Sequence, residues 1–303
     1  MTTPSPVLPE PVPLTSLGGV SIAALGMRET VNLMTEAVRR HPRPGTPLYF
    51  TSANGEVMSR HARDIEFARL MDMADVISAD GQPMVTMSRF VGDRALPERV
   101  ATTDLYHEVA RKALAEGVTF YLYGATENEN RAAVATTQRL YPGLRIVGHH
   151  HGYLVGDALA AKVAEIDALA PDILWIALGV PREQAFVRDH GPLLRNVALI
   201  KTSGGLFNFL SGSRSRAPAW VQRIGFEWLW RLLQEPRRLF WRYFLTNPHS
   251  LYLMLTRSGD RWRTRRDKAR DSRASDGQVD HGQTIVRTAT DDGDRVVTWV
   301  KGA

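Results

Sequence analysis

The 303-residue chain contains no cysteine. That excludes disulfides, thiolate zinc sites and thiol nucleophiles, and it suits a reducing compartment. Covalent chemistry would have to use Ser, Asp, Glu or Lys. No segment supplies the ~20 consecutive apolar residues that a membrane-spanning helix needs; the longest useful run is "ILWIALGV" at 173–180. The start, "MTTPSPVLPEPVPLTS", lacks both a basic n-region and an apolar h-region, so residues 1–17 read as a flexible, Pro-rich lead-in rather than a signal peptide. There is no G-x-x-x-x-G-K-[ST], and no G-x-G-x-x-G follows a strand, which weakens kinase, ATPase and dehydrogenase readings. A D-x-D occurs only at Asp292 and Asp294, inside a polar tail, where a solvated charge run explains it better than a metal clamp.

What is present is unevenly distributed. The formal charge is +6, but residues 214–273 carry 15 Lys/Arg against 5 Asp/Glu, so this one region nets +10 and the rest of the chain −4. An anionic partner, such as a membrane surface or a nucleic acid, would therefore meet one region and not the whole protein.

Upstream of that region, short β-rich runs alternate with helical patterns. The runs at 47–52, 74–79, 118–124, 144–148, 172–179 and 197–205 predict strands, and the segments at 55–70, 104–116, 126–140, 157–169 and 182–190 predict helices. This alternation is the βαβ signature of an α/β fold, a mostly parallel, Rossmann-like sheet with helices on both faces. Several strands are apolar almost throughout, as strands buried on both faces should be. In such folds ligands sit at the carboxyl ends of the strands, which brings Ser52, Asn54, Asp80, Gly124, Gly179 and Gly204 to one crevice. After Arg216 the strand pattern stops. Two helices are predicted, near 218–234 and 237–256, broken at Pro236. Trp220, Ile224, Trp228 and Leu232 share one face and Arg223, Glu227 and Arg231 another, so the segment is amphipathic. Beyond Ser258 the chain is polar and reads as a disordered tail.

Single residues carry weak signals. Asp80 would serve as the N-cap of a helix starting near Gln82, or as a general base; Asn54 would serve as the N-cap of helix 55–70. The triplet His149, His150 and His151 follows a strand, and adjacent residues on extended backbone point to alternate sides, so the three suit a loop lining better than a metal site.

The ordered series "TSANGEVM", "DVISADGQPMV", "FYLYGAT", "PDILWIALGVPREQ", "SGGLFNFLSGSRSRAPAW", "EWLWRL" and "EPRRLFWRY" resembles the bacterial WecG/TagA/CpsF glycosyltransferases from about residue 18 to 256. The resemblance implies transfer of N-acetylmannosamine, its uronic acid or a glucose-type sugar from a UDP donor to a lipid-diphosphate-linked saccharide. It also implies inversion at the anomeric carbon and no protein-bound metal or cofactor. It matches the family's catalytic aspartate to Asp80 and its Thr-x-Asn to Ser52 and Asn54. Around the substrates it implies Arg99, Asp104, Gly124, Gln184, Asn208, Arg216, Arg231 and Arg238. Departures are Ser52 for Thr, the reversed pair Glu183 and Gln184 in "GVPREQ", Asn208 for an acid, and Thr102 where Gly is common.

The expected organisation is a catalytic α/β domain over 18–215, an Arg/aromatic helical appendage over 216–257 that associates with an anionic membrane surface, and a tail over 258–303. The expected location is the cytoplasmic face of the cell membrane, peripherally bound, with a homo-oligomer left open. The rival is a nucleic-acid-binding or scaffolding protein using the same basic region. Trp220, Trp228, Trp230 and Trp241 fall in helical patterns among apolar neighbours, which favours burial or lipid over base stacking, and hence no nucleic-acid partner.

Overall fold

The computed structural model describes residues 8, 11–218, 221 and 227–259, and the backbone at 285–289 and 295–299. The side chains of Glu227, Arg231 and Arg238, and all of Trp220, Asp292 and Asp294, lie outside the described residues.

All six predicted strands form, as β3 (Leu48–Ala53), β4 (Val76–Ala79), β5 (Phe120–Gly124), β6 (Ile146–His150), β7 (Ile173–Ala177) and β8 (Leu199–Thr202). They make one parallel sheet in the order β4-β3-β8-β7-β5-β6. Alternate strand residues feed opposite faces. Phe50, Phe120, Leu122, Trp175 and Leu199 pack on one side, under α1 (Met27–Arg40), α5 (Thr102–Glu116), α6 (Glu127–Leu140) and α9 (Leu206–Leu210). Tyr49, Tyr121, Tyr123, Ile176 and Ile200 pack on the other, under α2 (Gly55–His61), α3 (Ile65–Asp72), α4 (Gln82–Val91), α7 (Gly156–Leu169) and α8 (Arg182–His190). Trp175 anchors the first face, edge-on to Tyr106 at 4.9 Å between ring centres.

Three boundaries depart from expectation. The lead-in ends early, because Leu14–Leu17 (β1) pairs antiparallel with Val20–Ala23 (β2). Leu17, Val20 and Ile22 are buried in the second core, which the polar-looking "TSLGG" setting disguised. The helix expected at 55–70 is two, because Asp64 accepts from the Phe67 N–H and starts α3 anew. Within the tail expected to be disordered, Ile285–Ala289 (β9) pairs antiparallel with Arg295–Trp299 (β10), both runs rich in β-branched residues.

The appendage breaks where proline predicts: α10 (Glu227–Gln234) ends before Pro236, and α11 (Pro236–Thr256) starts on it. One side of α11 lies on α2, with Arg242 paired to Glu56 at 3.1 Å and Ser59 bonded to His249 at 2.9 Å. Leu239, Leu253 and Met254 are buried. The other side carries Phe240, Trp241, Phe244, Leu245 and Leu255, which are exposed. Among the described residues no helix is long and apolar enough to cross a membrane.

Candidate active site

At the carboxyl edge of the sheet, Asp80 follows β4 directly. It does not cap the next helix: Gly81 holds the N-cap position of α4, and no side chain caps it. Instead the Asp80 carboxylate reaches across to α5. Thr102, the first residue of α5, donates its N–H to Asp80 Oδ2 at 3.2 Å, and Arg99 Nη2 donates to Oδ1 at 3.3 Å. Ala101 gives α5 no side-chain cap, so the carboxylate takes that place from a neighbouring strand. A helix N-terminus with orphan N–H groups and a positive dipole end suits an anion there.

Ser52 and Lys201 complete the same cluster. Ser52 Oγ lies 3.1 Å from Thr102 Oγ1 and accepts from Lys201 Nζ at 2.8 Å, while Nζ also donates to the Thr202 carbonyl at 3.0 Å. Lys201 is completely buried. Burial pulls its ammonium down to about 8, against the attraction of Asp80 and Glu183. Lys201 was not singled out in the sequence. The signal was there, a lysine inside the otherwise apolar strand "VALIKTSGG".

Glu183 is the second buried charge. It lies in the first turn of α8, is 3% exposed, and accepts from the Gly204 N–H at 2.9 Å. Burial pushes its carboxyl up to about 7, with the Gly204 bond and the Lys201 charge pulling the other way. Gln184 beside it is 1% exposed, and its Oε1 has no partner among the described residues. The reversed pair in "GVPREQ" therefore puts an acid, not an amide, against the backbone at the end of β8.

A pH prediction follows from Glu183. Its folded value lies above the ordinary one, so the fold favours the protonated form. Its contribution to stability is present at low pH and is lost as pH rises from about 4.5 to about 7, by an amount on the order of 3 kcal/mol. Glu183→Gln keeps a carbonyl oxygen for Gly204. The drop in melting temperature between pH 5 and pH 7.5 should therefore be smaller in this variant than in the wild type. Equal drops would show that Glu183 titrates as an ordinary carboxylate.

The other expected residues are distributed as follows. Asp104, in the first turn of α5, makes a two-pronged pair with Arg216, at 2.5 and 3.0 Å. Burial raises the Asp104 carboxyl, but the Arg216 fork and the charges of Arg99 and His107 outweigh it and hold it below its usual range. Asn54 is the N-cap of α2, accepting from the Val57 N–H at 3.1 Å. Gly124 has φ +136°, and a side chain there would meet the Ala177 carbonyl at 2.4 Å, so strand packing alone requires glycine. Asn208 donates to Glu129 Oε1 at 2.5 Å, joining α9 to α6. Ser52, Asp80 and Arg99 are thus linked through Thr102, with Asp104 in the same first turn of α5 holding Arg216, while Gly124 stands three strands from β3. The positions of Arg231 and Arg238 side chains are among those not described.

The three histidines go separate ways: His149 Nδ1 to Asn130 at 2.9 Å, His150 Nδ1 to the His151 carbonyl at 2.9 Å, and His151 Nδ1 to the Tyr153 N–H at 3.2 Å. Among the described residues no three His, Asp or Glu side chains group as a metal site. A depression of about 600 Å³ is lined by His41, Arg43, Glu116 and Asp172. It lies at the amino ends of the strands, and its Arg43 and Asp172 are already paired at 2.5 Å. In parallel α/β sheets ligands bind at the opposite, carboxyl edge.

An α/β sheet with a carboxylate held at its carboxyl edge fits many transferases, and comparison with known proteins decides among them. Residues 15–265 match the Glycosyl transferase WecG/TagA/CpsF family. The chain belongs to this family. It is therefore an enzyme, a glycosyltransferase. It is similar to the N-acetylglucosaminyldiphosphoundecaprenol N-acetyl-beta-D-mannosaminyltransferase of Bacillus subtilis strain 168, 30% identical over 198 residues, 65% of this chain and 75% of that protein. The protein of the same name from Bacillus spizizenii strain W23 is 30% identical over 200 residues, 66% of this chain and 76% of that protein. Within the WecG/TagA/CpsF frame, Asp80, Ser52 and Asn54 occupy the ends of β4 and β3, two adjacent strands in register at Ser52 and Ser78.

Proposed function

We propose that this WecG/TagA/CpsF enzyme transfers an N-acetylmannosamine-type or related sugar from a UDP donor to a lipid-diphosphate-linked saccharide during cell-envelope polysaccharide assembly, with inversion, Asp80 acting as general base. The observation that carries this reading is the environment of Asp80. Its carboxylate is fixed from outside its own element by Thr102 and Arg99, yet its side chain keeps 22% of its exposure, so an acceptor hydroxyl can approach it. Asp80 takes the hydroxyl proton as that oxygen attacks the anomeric carbon, and the bond to UDP breaks on the opposite face. General-base help of this kind is worth about 10²- to 10⁴-fold.

Charge developing on the departing diphosphate calls for fixed donors and cations. Arg99 stands beside Asp80, and Arg216 is held by Asp104 in the first turn of α5. Asn54 spends its oxygen on the α2 cap, which leaves its amide NH₂ to the donor sugar nucleotide. Both relatives are named as acting on an N-acetylglucosaminyl-diphosphoundecaprenol, which supports the acceptor class assigned here. The exposed aromatic face of α11 is assigned to the membrane surface that carries such an acceptor.

The test is UDP release from a panel of UDP-sugars, with and without a polyprenyl-diphosphate N-acetylglucosamine acceptor, in EDTA. Release that needs both substrates and survives EDTA is expected. Activity that returns only on adding Mg²⁺ or Mn²⁺ would show that a metal, not arginine, neutralises the diphosphate.

A further inference from the structure

The buried lysine under the site has no place in the reaction just described, and its geometry gives it one. β8 lies beside β3, with Lys201 opposite Phe50, yet its Nζ bonds to Ser52 Oγ, two residues further toward the carboxyl edge. The side chain thus runs up the sheet, on the face shared with Leu199, and stops beneath the Ser52–Thr102–Asp80 cluster. A lysine is among the most expensive residues to bury unless its charge is used. Here it is 0% exposed, in a strand between two others of a parallel sheet.

The proton arithmetic is one-directional. An ammonium has three donors and no acceptor, whereas a serine hydroxyl has one proton and two lone pairs. Ser52 Oγ must therefore accept from Lys201, and its own proton must leave the bond axis to Nζ. The protein offers it Thr102 Oγ1 at 3.1 Å; a bound substrate oxygen at the strand ends is the other destination. In either case the cation makes Ser52 an outward donor. Once Nζ is neutral it can accept, and Ser52 is free to turn its proton inward.

We propose that Lys201 is a positioning residue that locks Ser52 as a hydrogen-bond donor toward the sugar nucleotide, next to Asp80. The inference rests on the glycosyl-transfer reading and assigns no substrate contact to Lys201 itself. The charged groups that face Lys201 are Asp80, on the β4 side, and Glu183, on α8. Tyr49 of β3, fully buried, is held protonated by burial well above its ordinary value. Glu183 gives up its proton near 7 and Lys201 near 8, so the limb that belongs to Lys201 is the one that depends on Ser52.

The experiment is a double-mutant cycle on kcat with UDP-sugar and lipid-linked acceptor. Ser52→Ala should lower kcat about 10- to 100-fold. Lys201→Met should lower it by a similar factor with a smaller change in KM, and the double variant should be no worse than Ser52→Ala alone, because both changes remove one donor. Losses that multiply would show that Lys201 acts independently of Ser52 and would overturn the inference, as would a fully active Lys201→Met. If Lys201→Met does not fold, the pH profile carries the test. Wild-type kcat should fall as pH passes about 8, and Ser52→Ala should lack that limb; identical profiles would overturn the inference. A wild type inert with every UDP-sugar would remove the glycosyl-transfer reading and this inference with it, whereas an active wild type with multiplying losses removes this inference alone.

Discussion

Asp80→Asn should lower kcat by about 10² or more while the melting temperature and UDP affinity stay near the wild-type values. Asn keeps the shape of the side chain and can still accept from the Thr102 N–H through its carbonyl oxygen. It cannot take a proton from an acceptor hydroxyl. If the role of Asp80 is only to cap α5, the outcome is different: Asn is as good a cap as Asp, and even Asp80→Ala would cost only ~1 kcal/mol of stability. The two roles therefore separate by about two orders of magnitude in kcat at nearly constant stability. Measuring kcat, UDP affinity and melting temperature on both variants distinguishes them. An Asp80→Asn enzyme with near wild-type kcat would leave Asp80 as the cap of α5 and nothing more.

Replacing Phe240, Trp241 and Phe244 together by serine should weaken binding to acidic liposomes by about 10² or more, if each ring contributes roughly 1 kcal/mol on entering the interface. These rings are 49%, 66% and 60% exposed. Phe240 and Phe244 lie stacked, with ring centres 5.9 Å apart, and Trp241 stands edge-on to Phe244. The opposite side of α11 is held against α2 through Leu239, Leu253, Arg242 and His249, none of which is altered. Melting temperature should therefore be unchanged, unlike a chain cut at Ser215, which would uncover that packed side. Basic residues nearby add about 1 kcal/mol each near an anionic surface, so binding should also weaken with salt. Cosedimentation equal to the wild type would place the membrane contact elsewhere.

The sheet was legible because strands buried on both faces are nearly continuous apolar runs, and each of the six was found within two or three residues of its bounds. The β1–β2 hairpin was not, since four-residue strands beside a Pro-rich segment carry little periodicity. Helix α2 and helix α3 were merged because the Asp64 cap looks like any polar surface residue until its bond to Phe67 is seen. In the site, Asp80 and Ser52 were visible from their place at the carboxyl ends of strands and from the family resemblance. Their partners were not. Thr102 and Arg99 reach Asp80 from about 20 residues away, and Lys201 reaches Ser52 from 149 residues away, separations that no local pattern encodes. From sequence alone, Asp80 is equally suited to cap the helix that follows it. The carboxylate does cap a helix, but the one that starts at Thr102.

The anomeric configuration of the product tests the central claim most directly. A single displacement, with Asp80 withdrawing the proton from the incoming hydroxyl, turns an α-linked UDP-sugar into a β-linked product. The transfer should be run with a UDP-N-acetylmannosamine-type donor and a polyprenyl-diphosphate N-acetylglucosamine acceptor, and the new linkage read by NMR coupling constants on the isolated disaccharide. A β linkage, formed by the wild type and at least 10²-fold more slowly by Asp80→Asn, is the expected result. An α linkage, or donor hydrolysis with no sugar reaching the lipid-linked acceptor, would contradict it.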